Sequence, residues 1–301
     1  MQGIGKRTER KDNVKQEMEK KGMLYLCATP IGNLEDITLR VLRVLREADY
    51  IVAEDTRHTL KLLNHFEISK PLISYHQHSG RDKAESILDL VDRGHKVALV
   101  SDAGMPGISD PGEELVRMGR ERNIPMTILP GPTAGLSALV LSGFPSRRFV
   151  FEGFIPRDKR ERADILQKLG EEERTIILYE APHHLSATLK DLLEYLGNRK
   201  IAVVRELTKI HEQVLIFDLE KAIEHFNHTA PRGEFVLIVE GRKKEEHDET
   251  FEGITIQEHI IRYMEAGLSK REAIKMVAAD RKIPKREVYR HSIEIPLDKD
   301  R

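Results

Sequence analysis

Four short segments carry the residue types that hold a small ligand: ATPIGNLED (28–36), AEDTRHT (53–59), SDAGMPGISDPG (101–112) and LPGPTAG (129–135). Glycine lets backbone amides approach a ligand with no Cβ in the way, and proline fixes the chain that presents them. Pro30 and Gly32 in the first segment, and their counterparts in the other three, could form one cradle if all four loops sit at one sheet edge. Asp102 directly follows the apolar run KVALVS, where a carboxylate can accept hydrogen bonds from a ribose or an ammonium group. Ser109 or Asp110 can cap a helix whose first turn holds Pro111, which gives part of that loop a structural explanation. Two segments join carboxylates to cations: Glu54, Asp55, Arg57 and His58 in AEDTRH, and Arg205, Glu206 and Lys209 in RELTK. Each set could hold or orient a proton, or form a structural ion pair between domains.

These loops need a scaffold. The runs LYLCA (24–28), YIVAE (50–54), PLISY (71–75), KVALVS (96–101) and IPMTIL (124–129) have strand length and β-branched content. Between them, residues 37–48, 56–66 and 83–94 place apolar side chains three and four apart, as helices do. The alternation predicts βαβ units, a mostly parallel sheet, and ligand binding beyond the carboxyl ends of its strands.

LSGFPSRR (141–148) breaks the rhythm, and a second α/β block follows with strands expected at 149–154, 175–180, 201–207, 212–219 and 233–241. Only TKIH joins the third and fourth of these, which suits a hairpin, so the second sheet is predicted to be mixed. The expected organisation is a flexible tail at 1–22, an N-terminal α/β domain at 23–143 and a second α/β domain at 144–241. A charged linker at 242–255 and a helical module at 256–301 complete it. Three short helices are expected in 256–293, with Ser269 as an N-cap and Gly267 as a helix end.

Composition narrows the function classes. In 301 residues, 49 lysines and arginines nearly balance 50 aspartates and glutamates, so any affinity for nucleic acid must come from local patches. The single cysteine, Cys27, excludes an internal disulfide and reads as a small buried strand residue. His76 and His78 in YHQH, with the pair in APHH (181–184), lack a partner set for a metal, so none is expected. No apolar run has the length of a membrane span and no signal peptide is visible, which points to a cytoplasmic protein. The chain also lacks GxGxxG and GxxxxGK[ST], which argues against a Rossmann dinucleotide site or a Walker nucleotide site.

The motifs LYLCATPIGNLEDIT, IVAEDTRHT, LVSDAGMPGISDPG, ILPGPTAGLSALVLSGFP, GFIPRDKRER, ILYEAPHH and VVRELTKIHE, in that order, resemble the tetrapyrrole-methylase superfamily of S-adenosylmethionine enzymes. Within it they are most similar to its ribosomal RNA methyltransferases. The resemblance spans about residues 23–293. It implies a two-domain class III methyltransferase and a homodimer, with S-adenosylmethionine folded between domains. The implied reaction is 2′-O-methylation of a cytidine in the decoding region of 16S rRNA in the small ribosomal subunit. By the same resemblance, Asp102, Ala103, Gly104, Met105 and Pro106 wrap the methionine and ribose of the cofactor, with Ile108 and Ser109 close by. Pro130, Gly131, Pro132, Thr133 and Ala134 line the other side. Tyr179 to Pro182, including Ala181, close the cleft with Leu207 and Gly233. Met105 stands where a threonine is expected, so no hydroxyl contact is expected there.

A ribose 2′-hydroxyl is a poor nucleophile and needs in-line placement with a base or strong orientation. The sulfonium supplies an activated methyl, so the chemistry calls for no metal. Glu54, Asp55, Arg57, His58, Arg205, Glu206 and Lys209 are the candidates for base and orienting roles, with Arg57 also suited to forked phosphate contact. RNA contacts are expected where charge is locally lopsided. Residues 147–164 hold six basic against four acidic side chains, Arg157, Lys159 and Arg160 among them, interleaved with Phe149, Phe151 and Phe154. Those phenylalanines could stack bases or fill a core. Residues 270–290 hold eight basic against three acidic side chains, with Lys270, Arg271, Lys285 and Arg286 as candidates. Two rivals remain: a C-methyltransferase acting on a corrin or porphyrin precursor, and a ligand-sensing regulator whose terminal helices bind DNA.

Overall fold

The computed structural model describes residues 22–76, 79–109, 112–243, 254–281, 285–293 and 295. All but the last residue of the expected tail and most of the expected linker, with His78, Asp110 and Pro111, lie outside these residues. Strands β1 (Met23–Cys27), β2 (Tyr50–Ala53), β3 (Leu72–Ser74), β4 (Lys96–Val100) and β5 (Met126–Leu129) form one sheet in the order β3-β2-β4-β1-β5. Every pairing in it is parallel. Side chains alternate across its two faces, as the two-residue repeat of a strand requires. Leu24, Leu26, Val97 and Leu99 pack on α3 (Arg81–Asp92) and α4 (Glu113–Glu121). Cys27, Ala98 and Val100 face α1 (Leu39–Glu47) and α2 (Thr56–His65). Burial pushes the Cys27 thiol up to about 12, with Arg40 pulling weakly the other way, so Cys27 behaves as a small apolar residue.

Helix starts follow local chemistry. Thr38 Oγ1 accepts from Val41 N at 3.1 Å, and Asp55 Oδ1 accepts from Arg57 N at 2.8 Å, each satisfying an orphan donor of a first turn. Of the two caps expected, the one at Ser109 does not form, and Asp110 lies outside the described residues. Gly112 stands at the N-cap of α4 with φ 146°, a conformation that favours glycine, and no described side chain caps that helix.

A second sheet has the order β6-β7-β10-β8-β9, from β6 (Phe149–Phe154), β7 (Thr175–Glu180), β8 (Lys200–Arg205), β9 (Gln213–Asp218) and β10 (Phe235–Val239). β6 and β7 run parallel and the other pairs antiparallel, so the sheet is mixed as predicted. β8 ends earlier and β9 begins later than the sequence suggested, leaving 206–212 as a longer connection with Glu206 at φ 50° and Thr208 at φ 66°.

One face of this sheet is covered by α6 (Lys159–Gly170), α7 (Leu185–Leu196) and α8 (Leu219–His228), which bury Leu166, Leu189, Leu192 and Ala222 on Ile176, Leu178, Val203 and Leu237. The other face receives α5 (Ala134–Ser142), whose Ala138 and Leu139 pack on Ile177, Ala202, Val204, Val236 and Ile238. The chain to Arg242 forms one compact unit, and Lys243–Arg301 a second.

Within the second unit, α9 (Ile256–Glu265), α10 (Lys270–Asp280) and α11 (Lys285–Ser292) enclose Ile260, Ala273, Val277 and Val288. Capping boxes start α9 at Thr255 with Glu258 and α10 at Ser269 with Glu272, and Gly267 follows α9 with φ 96°. Buried His259 accepts from Arg281 Nε at 3.2 Å on Nδ1 and lies 3.5 Å from Asp280 on Nε2. No described helix is long and apolar enough to cross a membrane.

Candidate functional site

Parallel strands end on one edge, so the loops after β1, β2, β4 and β5 meet there. They wall one side of a cavity of about 660 Å³, and the second sheet walls the other. Of the residues expected around a cofactor, Asp102, Ala103, Gly104, Met105, Ile108 and Ser109 line it, with Thr133 and Ala134 beside them. Tyr179, Ala181 and Leu207 line it from the second sheet.

Hydrogen bonds lock the first wall. Thr29 and Gly104 exchange backbone bonds of 2.9 and 3.1 Å, and Ser101 Oγ donates to Gly104 O at 2.9 Å. Buried Thr29 donates through Oγ1 to Ser101 O at 3.0 Å. Gly104 holds φ 82°, and a Cβ there would lie 3.3 Å from Ile31 and 3.5 Å from the Pro132 carbonyl. Asp102 Oδ1 accepts from Asp55 N at 3.1 Å and so joins the loop after β4 to the loop after β2.

Other expected cofactor residues do not line the cavity. Pro30, Gly32, Pro130, Gly131, Pro132 and Gly233 are not among the lining side chains. Three of these glycines permit close approach. A Cβ on Gly131 would lie 2.8 Å from Ala28 Cβ, and one on Gly233 would lie 2.5 Å from Glu206 Cδ. On Gly32 it would lie 2.6 Å from Lys209 Cγ and 2.8 Å from Thr208 Oγ1, and Asn33 N donates to that hydroxyl at 3.1 Å. The ATPIGN loop therefore docks on RELTK.

The second wall is aromatic. Phe149, Phe151 and Phe154 line the cavity and remain exposed, so the reading of them as core is overturned. Tyr179 sits edge-on to Phe151 at 5.2 Å and to Phe154 at 5.6 Å, and its hydroxyl accepts from Gly135 N at 3.1 Å. Glu180 also lines the cavity, with most of its surface buried; it accepts from Ala181 N at 2.8 Å and from the Thr188 hydroxyl.

Among the proton-handling candidates, Glu54 alone lines the cavity. Burial first, then the charges of Asp102 and Asp55, raise its pKa, while His76 acts in the opposite sense. Asp55 faces Arg57 instead: the guanidinium binds both carboxylate oxygens, at 3.1 and 2.9 Å, and with the Arg57 amide holds Asp55 at about 2. Arg57 is widely exposed, and His58 lies beside it in the first turn of α2. Glu206 and Lys209 form a cluster with Glu234. Lys209 Nζ donates to Glu206 at 3.0 Å and to Glu234 at 2.9 Å, and Glu234 N donates to Glu206 at 3.0 Å. Burial would raise Glu206, but the Glu234 amide and Lys209 outweigh it and lower its pKa. Arg205 donates to the Arg232 carbonyl at 2.6 Å and to Gln213 at 3.2 Å.

Arg157, Lys159 and Arg160 are exposed around the start of α6, whose N-cap is Asp158. In the helical unit, Arg271, Lys285 and Arg286 are exposed, whereas Lys270 Nζ is drawn to the Ile295 carbonyl at 2.6 Å. Among the described residues, no group of three or more histidine, cysteine, aspartate or glutamate side chains is placed to hold a metal ion.

Comparison with known proteins agrees with this architecture. The family described as Tetrapyrrole (Corrin/Porphyrin) Methylases matches residues 23–223. The chain belongs to that family. It is 47% identical to Ribosomal RNA small subunit methyltransferase I of Halalkalibacterium halodurans, over 91% of this chain and 96% of the relative. The protein of the same name from Synechocystis sp. is 48% identical, over 92% and 99%. The crystal structure of uroporphyrin-III-C-methyltransferase from Thermus thermophilus superposes with a TM-score of 0.53 at 22% identity, over 73% of this chain and 94% of that one, and shares the fold.

Sequence reasoning passed over several lining residues. Ile177, Val204, Phe235 and Val236 are interior positions of apolar strands, and nothing in their spacing separates cavity from core. Glu234 was passed over too but carried a usable signal, as a carboxylate just before β10 and next to Gly233, whereas Glu180 lies within the expected Tyr179–Pro182 stretch.

Proposed function

We propose that the chain is an S-adenosylmethionine-dependent methyltransferase that 2′-O-methylates the ribose of a cytidine in the decoding region of 16S rRNA, acting on the small ribosomal subunit as a cytoplasmic homodimer. The observation that carries the reading is a strand-end cavity walled by Asp102, Glu54 and aromatic side chains, in a chain whose relatives bear an rRNA methyltransferase name. The residues fit the cofactor. Asp102 and Glu54, with Glu180 and Glu234 lining the same cavity, complement a sulfonium and an ammonium, and Gly104 holds a positive φ that favours glycine where the backbone faces the cavity. When bound, S-adenosylmethionine supplies a methyl group on positively charged sulfur.

Glu54, which lines the cavity, would take the proton of the 2′-hydroxyl, and S-adenosylmethionine held against Asp102 and the Gly104 loop would supply the methyl group. The raised pKa of Glu54 makes it a stronger base than an ordinary carboxylate. Asp102 fixes the loop that carries Glu54 through the Asp55 amide. Ile31, Leu207 and the phenylalanines give the cavity an apolar wall. Arg157, Lys159, Arg160 and the exposed basic residues of the terminal helices supply phosphate contacts, which a small tetrapyrrole would not require.

The test is methyl transfer from labelled S-adenosylmethionine to small subunits from a strain lacking this gene, with the modified nucleotide located by mass spectrometry. Label on a cytidine ribose in the decoding region is expected. Cofactor binding without label on any RNA would leave the tetrapyrrole reading in its place.

A further inference from the structure

A regular strand sends every second side chain to the same face. β6 begins that way, with Phe149 and Phe151 on the cavity side and Val150 between them. Unbroken alternation would then turn position 153 to the cavity and Phe154 away. The pairing of β6 with β7 instead shifts register between Phe151 and Gly153, and Gly153 takes φ 73°. This bulge returns Phe154 to the cavity, where it is 55% exposed and meets the edge of Tyr179. Gly153 suits this bulge because its φ favours glycine, and a Cβ there would also press on Ser109 Oγ at 2.9 Å.

β6 is an edge strand, and its end runs directly into exposed Arg157, Lys159 and Arg160. An exposed ring followed at once by a basic cluster is the arrangement that binds an unstacked nucleotide, with the base on the ring and flanking phosphates on the cations.

Resting on the RNA reading above, we propose that Phe154, delivered by the β6 bulge and backed by Tyr179, is the platform on which the target base stacks after leaving the RNA helix, while Arg157, Lys159 and Arg160 hold the adjoining phosphates. Stacking makes the platform tolerant of base identity, so Phe154 sets substrate affinity and placement and leaves the choice of base to other contacts.

The experiment compares wild type, Phe154→Ala and Phe154→Trp in methyl transfer to small subunits, with cofactor affinity measured separately by calorimetry. Loss of one stacked base is expected to raise KM for RNA about ten-fold in Phe154→Ala, with cofactor affinity within two-fold of wild type and KM restored in Phe154→Trp. A parallel loss of cofactor affinity would assign the ring to the cofactor and overturn the proposal, as would an unchanged KM. A wild-type protein that methylates no RNA overturns the underlying reading instead. Phe154→Tyr, with the melting temperature of each variant, separates a lost platform from a damaged fold: a folded Phe154→Tyr that does not restore KM also counts against stacking.

Discussion

The Asp55 amide donates to Asp102 Oδ1 at 3.1 Å, a bond between two loops whose strands, β2 and β4, lie side by side. Asp102 thus serves the cavity and holds the loop that carries Glu54. Asp102→Ala is expected to weaken S-adenosylmethionine binding about ten- to a hundred-fold, the range for a lost hydrogen bond to a charged group. Calorimetry checks this, with Lys285→Ala as the control that should leave cofactor affinity unchanged.

Glu54 should control the acid side of the pH profile. A base works only when deprotonated, and burial with neighbouring Asp102 and Asp55 raises its pKa above the ordinary 4.5. Activity is therefore expected to fall with decreasing pH at a higher pH than an unperturbed glutamate would set. Glu54→Gln should lower kcat about 10²- to 10⁴-fold and flatten that limb, an effect larger than its loss of cofactor affinity. A variant that keeps the wild-type profile would remove Glu54 from proton transfer.

Gly32 tests the seam between ATPIGN and RELTK. A methyl group there would press on Lys209, Thr208 and the Leu207 carbonyl at 2.6–2.9 Å. Gly32→Ala should destabilise the protein by about 1–3 kcal/mol, as overpacking does, read as a lower urea midpoint. Retained midpoint and activity would show that the loops part freely.

The terminal helices should act through charge. Lys285→Ala and Arg286→Ala remove exposed cations, and each lost phosphate contact should reduce the slope of log affinity for RNA against log salt by about 1. Filter binding over a salt series measures this. Lys270→Ala should change the slope less, because its ammonium already meets the Ile295 carbonyl.

Much of the fold could be read from the chain because burial on both faces writes near-continuous apolar runs into parallel strands, as in KVALV and MLYLC. The cradle could be read because glycine and proline mark strand ends. The β6 bulge could not, since Gly153 announces a kink but not which ring it redirects. The role of RELTK was legible only as charge. Its contact with Gly32 depends on two loops far apart in sequence, and the positive φ of Glu206 and Thr208 has no compositional sign. Of the alternatives Ser109 and Asp110, Ser109 does not cap because Gly112 holds the N-cap position of α4, three residues on.

Helix α5 belongs by sequence to the first block yet seals the face of the second sheet. A chain cut after residue 143 would carry Ala138 and Leu139 without the strands that cover them, and the remaining piece would expose Ile177, Val204 and Val236. Neither half should therefore persist as a well-behaved fragment. Heating or denaturant should melt everything up to Arg242 in one cooperative step, with both sheets losing protection from hydrogen exchange together.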